Sequence, residues 1–270
     1  MFRGFYTATS GMLAQQRRTE MLSNNIANAN TTGYKADQST MRSFPEMLIS
    51  LNKSEELPAD SSMKYTTRKP IGNLNTGVYV QEFIPSFVQG DLRETSIKSD
   101  VAIMQDNMEQ GVLLFAVKDE QGDIKYTRNG NFTINDQGVL TLHNSAVLSS
   151  EGNELVIQNH DYQINTNGQI IVNGQEVGSI GVYVAEDEST LVKEGNDLYR
   201  INNEETLPLA NVADVSYTLN QGFIEGSNVD VQTSYTEMLT AYRTFEANQK
   251  VVQAYDKSMD KAVNEIGRLR

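Results

Sequence analysis

The chain has 270 residues, no cysteine and a formal net charge of −13. Without thiols there is no disulfide framework, thiolate metal site or cysteine nucleophile, and two histidines, His143 and His160, exclude a histidine-rich metal centre. The acidic balance argues against nucleic acid as a partner, and no run of about 18 apolar residues offers a spanning helix.

The charge is unevenly placed. Residues 1–40 carry four bases and two acids, for +2, and residues 228–270 carry six of each, for 0. Residues 41–227 carry 12 bases and 27 acids, for −15. Near-neutral ends suit close packing against like chains, whereas an acidic middle suits water. Gln15, Gln16, Arg17, Arg18 and Glu20 interrupt any apolar leader, so if the chain leaves the cytoplasm it must do so without a cleaved secretory signal.

From the N-terminus, Phe5, Ala8, Met12, Gln15, Thr19, Leu22, Ile26 and Ala29 step by three and four and predict a helix over 1–30, its face widened by Leu13 and Met21. Gly4 and Gly11 weaken it by about 1 kcal/mol each, and Gly33 reads as its C′ residue. Residues 36–84 contain three prolines and read as a linker region with extended segments. A short helix is expected over 43–51, a loop over 53–64 and a strand over 77–83.

Residues 85–215 hold 11 of the 19 glycines. Asn129–Gly130, Asn167–Gly168 and Asn173–Gly174 are type I′ hairpin signals between short apolar runs at 112–117, 125–127, 132–134, 139–142, 155–157, 169–172 and 180–184. This stretch reads as an antiparallel β domain, with 216–227 as a return connection.

After Ser227, Asn228 and Asp230, which offer N-cap chemistry, Val231, Tyr235, Met238, Tyr242, Phe245, Gln249, Val252, Asp256, Met259, Val263 and Ile266 alternate at four and three. A helix over 228–266 would be about 58 Å long. The fold class is therefore α+β: long N- and C-terminal helices pairing as a coiled coil, with a central antiparallel β domain. The helical assembly domain is 1–35 with 228–270. The reading places Leu22 and Ile26 opposite residues such as Val252 and Met259.

Chemistry is sparse. The glycines at 174, 178 and 181 do not form a dinucleotide fingerprint, and neither a P-loop, an H-E-x-x-H nor a G-x-S-x-G motif occurs. Acids such as Asp123, Asp136 and Glu151 sit where turns are expected. No catalytic, cofactor or metal residues are expected.

Three motifs carry a resemblance. Residues 22–35, LSNNIANANTTGYK, residues 126–132, YTRNGNF, and residues 221–231, QGFIEGSNVDV, followed by EMLTAYRTFEANQKV, together resemble the flagellar basal-body rod protein family. The family's Gly-Gly-Phe-Phe element is absent, its place taken by Val112, Leu113, Leu114 and Phe115, so the 104–115 segment departs from the pattern. Length and the EGSNV form suggest a longer rod subunit near the hook. The resemblance implies a structural subunit that stacks helically into a hollow drive shaft for motility. It implies terminal helices lining the tube, the β domain outside, and export through the flagellar type III channel. Its partners would be copies of itself, other rod or hook subunits and the export apparatus, at the basal body outside the cytoplasmic membrane. The expected assembly interface is Phe5, Met12, Leu22, Asn25, Ile26, Asn28, Tyr235, Met238, Tyr242, Phe245, Val252 and Met259. A hook-type axial protein, a cell-wall-active enzyme and a surface adhesin or carbohydrate-binding module are the alternatives.

Overall fold

Neither terminal stretch contains a proline, and each forms one long helix: α1 spans Arg3–Ala27 and α2 spans Val231–Lys261, followed by a π-helical turn at Ala262–Ile266. These elements come from a computed structural model describing residues 3–57, 60–105, 111–157, 161–202, 206–213 and 215–266, with backbone alone at 53–57, 60–67 and 266. His160 lies outside the described residues. The chain divides into two units: Met1–Asn24, Gln38–Ile84 and Gln232–Arg270 in the first, Asn25–Asp37 and Pro85–Val231 in the second. The expected linker thus contributes to the helical unit, and 25–35 and 228–231 contribute to the β unit.

In the first unit α1 turns the expected stripe inward: Ala8 and Leu22 are buried and Phe5, Met12, Gln15 and Thr19 half-buried, with Met21 also buried but Leu13 exposed. The α2 seam is displaced by one residue at alternate positions. Met238, Phe245, Val252 and Met259 are half-buried as expected, but Ala241, Asn248 and Tyr255 turn inward with them, while Tyr235, Tyr242, Gln249 and Asp256 are exposed. A small residue at 241, buried to 1 % exposure, lets α2 approach where a tyrosine would hold it off. Val263 is exposed as well.

The helix expected over 43–51 and the loop over 53–64 are instead largely strand. β1 (Asp37–Ser43) pairs with β4 (Val78–Pro85), and between them β2 (Met47–Leu57) and β3 (Asp60–Leu74) form an antiparallel ribbon. Pro70 opposes Ser50 beside a register shift, a place where a ladder tolerates a missing N–H.

Among the described residues of the second unit the strands pair antiparallel, and a short 3-10 helix lies at Glu188–Thr190. β5 (Leu92–Glu94) and β6 (Val101–Gln105) lead into β7 (Val112–Lys118), which pairs with β8 (Ile124–Thr127). β9 (Thr133–Ile134), β10 (Leu140–Leu142) and β11 (Ser145–Val147) extend the sheet as a meander that returns to β7. β12 (Tyr162–Ile164), β13 (Gln169–Val172) and β14 (Gln175–Ser179) form a separate three-stranded sheet. β15 (Val182–Ala185) pairs with the first half of β7 on the same edge as β11, opposite β8, and β16 (Leu191–Gly195) pairs with β17 (Leu198–Ile201), which pairs with β8. The expected return connection is itself strand: β18 (Tyr217–Gln221) pairs with β6 and β19 (Phe223–Glu225) with β5. Residues 155–157 make only isolated bridges.

β7 is the centre of this unit. Leu113, Phe115 and Val117 join one core cluster and Val112, Leu114 and Ala116 the other, so both faces are covered. That explains why its sequence is a continuous apolar run rather than an alternation. The departure from the family pattern at 112–115 therefore lies in the core.

Candidate functional site: a buried charge triad and a helix seam

β19 ends by placing Glu225 inside the β unit between two cations. One carboxylate oxygen accepts from Lys35 Nζ at 2.6 Å and from the Gly90 amide at 2.9 Å; the other accepts from Arg128 Nε at 2.6 Å. All three side chains are 1 % exposed. Two cations and one anion leave an excess positive charge, and backbone carbonyls answer it. Lys35 donates to Val88 O at 2.8 Å, and Arg128 donates to Leu113 O at 2.5 Å and Ile103 O at 3.0 Å. Burial pushes the Glu225 carboxyl up, but Arg128 and Lys35 outweigh it and hold it below the ordinary carboxylate range. Burial pulls the Lys35 ammonium down against the opposing pull of Glu225.

The turns after α1 deliver Lys35 to this position. Gly33, expected as a helix C′ residue, instead follows the helix end at Ala27 by six residues, has φ 70°, and donates from its amide to Glu225 O at 2.8 Å. A Cβ there would lie 2.6 Å from the Asn129 amide, so only glycine allows the approach. Asn25, 3 % exposed, bonds Asp37 on both sides, donating to its carbonyl at 2.8 Å and accepting from its amide at 3.0 Å. The Tyr34 hydroxyl donates to the same Asn25 oxygen at 3.1 Å. Asn228 does the equivalent work from the other end of the chain, accepting from Ala36 N at 2.8 Å and donating to Ser86 O at 2.7 Å. Lys193 covers the Tyr34 ring at 4.0 Å from its centroid and pairs with Asp37 at 3.2 Å. The Asn28 side chain accepts from Thr31 at 3.2 Å. Asn25 thus sits inside its own chain rather than on an outer surface, and Ile26 and Asn28 are half-buried beside it in sequence.

In the helical unit, side chains of α2 meet α1 at several points. Arg18 pairs with Glu237 at 2.9 Å. A Cβ on Gly11 would stand 3.0 Å from the Asn248 amide nitrogen, and one on Gly4 would overlap the Tyr255 ring. As the α1 number rises the α2 number falls, so the helices run in opposite directions. The expected facing of Leu22 and Val252 is therefore corrected: Val252 lies 15 residues beyond Glu237, about 22 Å along the helix. The glycines that looked like weak points in a helix are where large α2 side chains fit.

Outward from this seam, Tyr235, Leu239 and Tyr242 are exposed on α2 and Tyr6 and Leu13 on α1. Leu13 also borders an apolar groove of about 200 Å³ with Ala14, Phe44, Val78, Tyr79 and Val80. In the β unit a polar cavity of about 540 Å³ includes Asp119, Lys125, His143 and Glu194. Lys125 pairs with Asp119 at 2.7 Å and with Glu194 at 3.2 Å, and its hydrogen bond holds Asp119 below the ordinary range. Among the described residues no cluster of three or more metal-ligating side chains occurs.

A triad sealed from solvent, with every charge answered, fastens chain segments to one another. Three family models match the chain: that for the flagella basal body rod protein matches residues 5–35, that for the flagellar hook protein FlgE/F/G D1 domain matches 110–172, and that for the flagellar basal body rod FlgEFG protein C-terminal region matches 220–265. Lys35, Arg128 and Glu225 each lie in a different one of these regions. The chain is 48 % identical over 277 residues to the flagellar hook-basal body complex protein FlhO of Bacillus subtilis (strain 168), with 100 % of both chains covered. It is 30 % identical to the flagellar basal-body rod protein FlgG of the same organism, over 98 % of this chain and 99 % of that one. It is 29 % identical over the full length of both chains to the basal-body rod protein FlgF of Caulobacter vibrioides. The chain belongs to the flagellar basal-body rod protein family and is a structural protein of the flagellar basal body.

Proposed function

We propose that the chain is a rod subunit that assembles through its terminal helices into the hollow shaft on which flagellum-dependent motility depends. The observation that carries this reading is the exposed apolar ridge Tyr235, Leu239 and Tyr242 on a helix whose inner face is already occupied. These residues recur at one-turn spacing, and contiguous apolar surface marks an interaction site. Within the interface expected from the sequence, Phe5, Met12, Leu22, Met238, Phe245, Val252 and Met259 hold the two helices together as an antiparallel coiled coil. Tyr235 and Tyr242 face other subunits, while Asn25, Ile26 and Asn28 set the path of the chain after α1. The charge distribution supports this division, because the −15 carried by residues 41–227 would repel at subunit contacts and is better placed outward.

Partners on this reading are copies of the chain, other rod or hook subunits and the flagellar export apparatus, through which the chain would pass without a cleaved signal. Its place is outside the cytoplasmic membrane, and no helix among the described residues is long and apolar enough to cross one. A catalytic role is not proposed: the hydrogen bond from Lys125 holds the Asp119 carboxyl below its ordinary range, whereas a general acid needs a raised pKa. Replacing Tyr235 and Leu239 by Asp tests the assignment. Normal soluble expression with loss of motility and of rod completion is expected; full motility with the double variant as sole copy overturns it.

A further inference from the structure

A mainly apolar groove lies beside α1. Its walls are Leu13, Ala14, Phe44, Val78 and Tyr79, and the Phe44 and Tyr79 rings lie 5.2 Å apart at 33°. Arg17 stands at its edge, exposed. Ser10, also on the lining, uses its hydroxyl within the unit, donating to Thr7 O at 2.9 Å and accepting from Val78 N at 3.3 Å. The Arg17 guanidinium is thus a charged group available to recognise what enters, beside the Tyr79 hydroxyl. A guanidinium beside an apolar slot favours a ring with a hydroxyl, which it can both stack on and hydrogen-bond.

The same unit carries such a ring elsewhere. Tyr242, 58 % exposed, is on the outward ridge of α2, and one turn further on Glu246 presents a carboxylate. Glu246 pairs with Lys250 at 2.8 Å, an exposed i,i+4 contact that contributes little and can exchange partners. Tyr6 is more exposed, but its ring is edge-on to Phe5 at 6.0 Å and no acid follows one turn later. Tyr235 is followed one turn on by Leu239.

We propose that Tyr242 of one copy of this chain inserts into the Leu13–Phe44–Tyr79 groove of the next, with Glu246 meeting Arg17. Knob and groove are different surfaces of one unit, so each subunit fills one groove and offers another. Such heterologous contacts extend into a helical filament instead of closing on themselves. The inference rests on the rod-subunit reading and adds to it the identity of one subunit contact.

Because the chain has no cysteine, introduced thiols report this contact without background. L13C and Y242C chains would be co-expressed, basal bodies isolated, and the particles mildly oxidised. A disulfide-linked dimer containing one of each variant is expected, and neither variant alone should give it. Both variants present in basal bodies without a mixed dimer overturn the inference and leave the rod assignment standing. Absence of even the unsubstituted chain from basal bodies overturns both. A charge exchange provides the second measurement. R17E should lower rod incorporation about tenfold, the effect of one lost contact of moderate strength, and adding E246R should restore it. Failure of the second substitution to restore incorporation overturns the pairing.

Discussion

Glu225 is the residue on which two of the three sequence motifs depend for neutralisation. Glu225→Gln would leave Lys35 and Arg128 as buried cations facing an amide, and breaking a buried pair in this way costs about 3–5 kcal/mol. Chemical denaturation at neutral pH should show that loss. The pH dependence has a definite sign. Because the folded state holds the Glu225 carboxyl below its ordinary range, the unfolded chain binds more protons as pH falls through that range, and stability is lost there. Above the ordinary carboxylate value of about 4.3 the contribution is fully present. The Gln variant should therefore lose stability less steeply on acidification than the unsubstituted chain; an unchanged slope would contradict the role given to Glu225. Asn25→Ala is expected to cost about 1–3 kcal/mol, since it removes the side chain that satisfies both the Asp37 amide and the Asp37 carbonyl. The same denaturation curves measure it.

At the scale of elements, periodicity revealed the two helices and most of the β strands, because burial on one face repeats in the sequence. It did not reveal which α2 face is innermost. Tyr235 and Tyr242 are as apolar as core residues, and only the contacts of Ala241, Asn248 and Tyr255 show that the seam runs one residue away. Turn chemistry was legible where it was local. Asn173–Gly174 is a two-residue connection with φ 52° and 81°, as a type I′ turn requires. Asn129–Gly130 carries the same signal but is held by the core instead: Asn129 is buried and accepts from the Asn131 amide. The β2–β3 ribbon was missed because its strands are defined by pairing with each other, and no buried face imposes an alternation on its exposed Met47, Leu48 and Leu51. The charge triad was out of reach for another reason. Its members are 93 and 97 residues apart in sequence, and nothing local marks three charged side chains as partners. The quoted motifs contained all three, yet their common destination is a tertiary fact. One prediction belongs here. Gly11→Leu should push Asn248 away and open the α1–α2 seam, raising hydrogen exchange across residues 5–24 and 234–259 while β7 stays protected. Exchange in α1 and α2 equal to that of the unsubstituted chain would show that the glycine notch is dispensable.

For the molecule as a whole, the division into units alters where the β domain can be cut. A fragment of residues 36–227 would lack Lys35, Gly33 and Asn228, all bonded within the β unit. It should melt about 10 °C or more below a fragment of residues 25–231, as expected for loss of a buried ion pair in a chain of this size. Equal melting temperatures would mean that the triad contributes no stability. The central claim is that near-neutral terminal helices make the subunit contacts of a hollow rod while the acidic β unit faces outward. Cryo-electron microscopy of isolated basal bodies, with this chain placed in density, tests it most directly. Helically repeated copies with α1 and α2 nearest the bore, Tyr242 in contact with a neighbouring copy and the β unit at larger radius are expected; a rod without this chain, or one whose bore is lined by its β unit, would overturn the assignment.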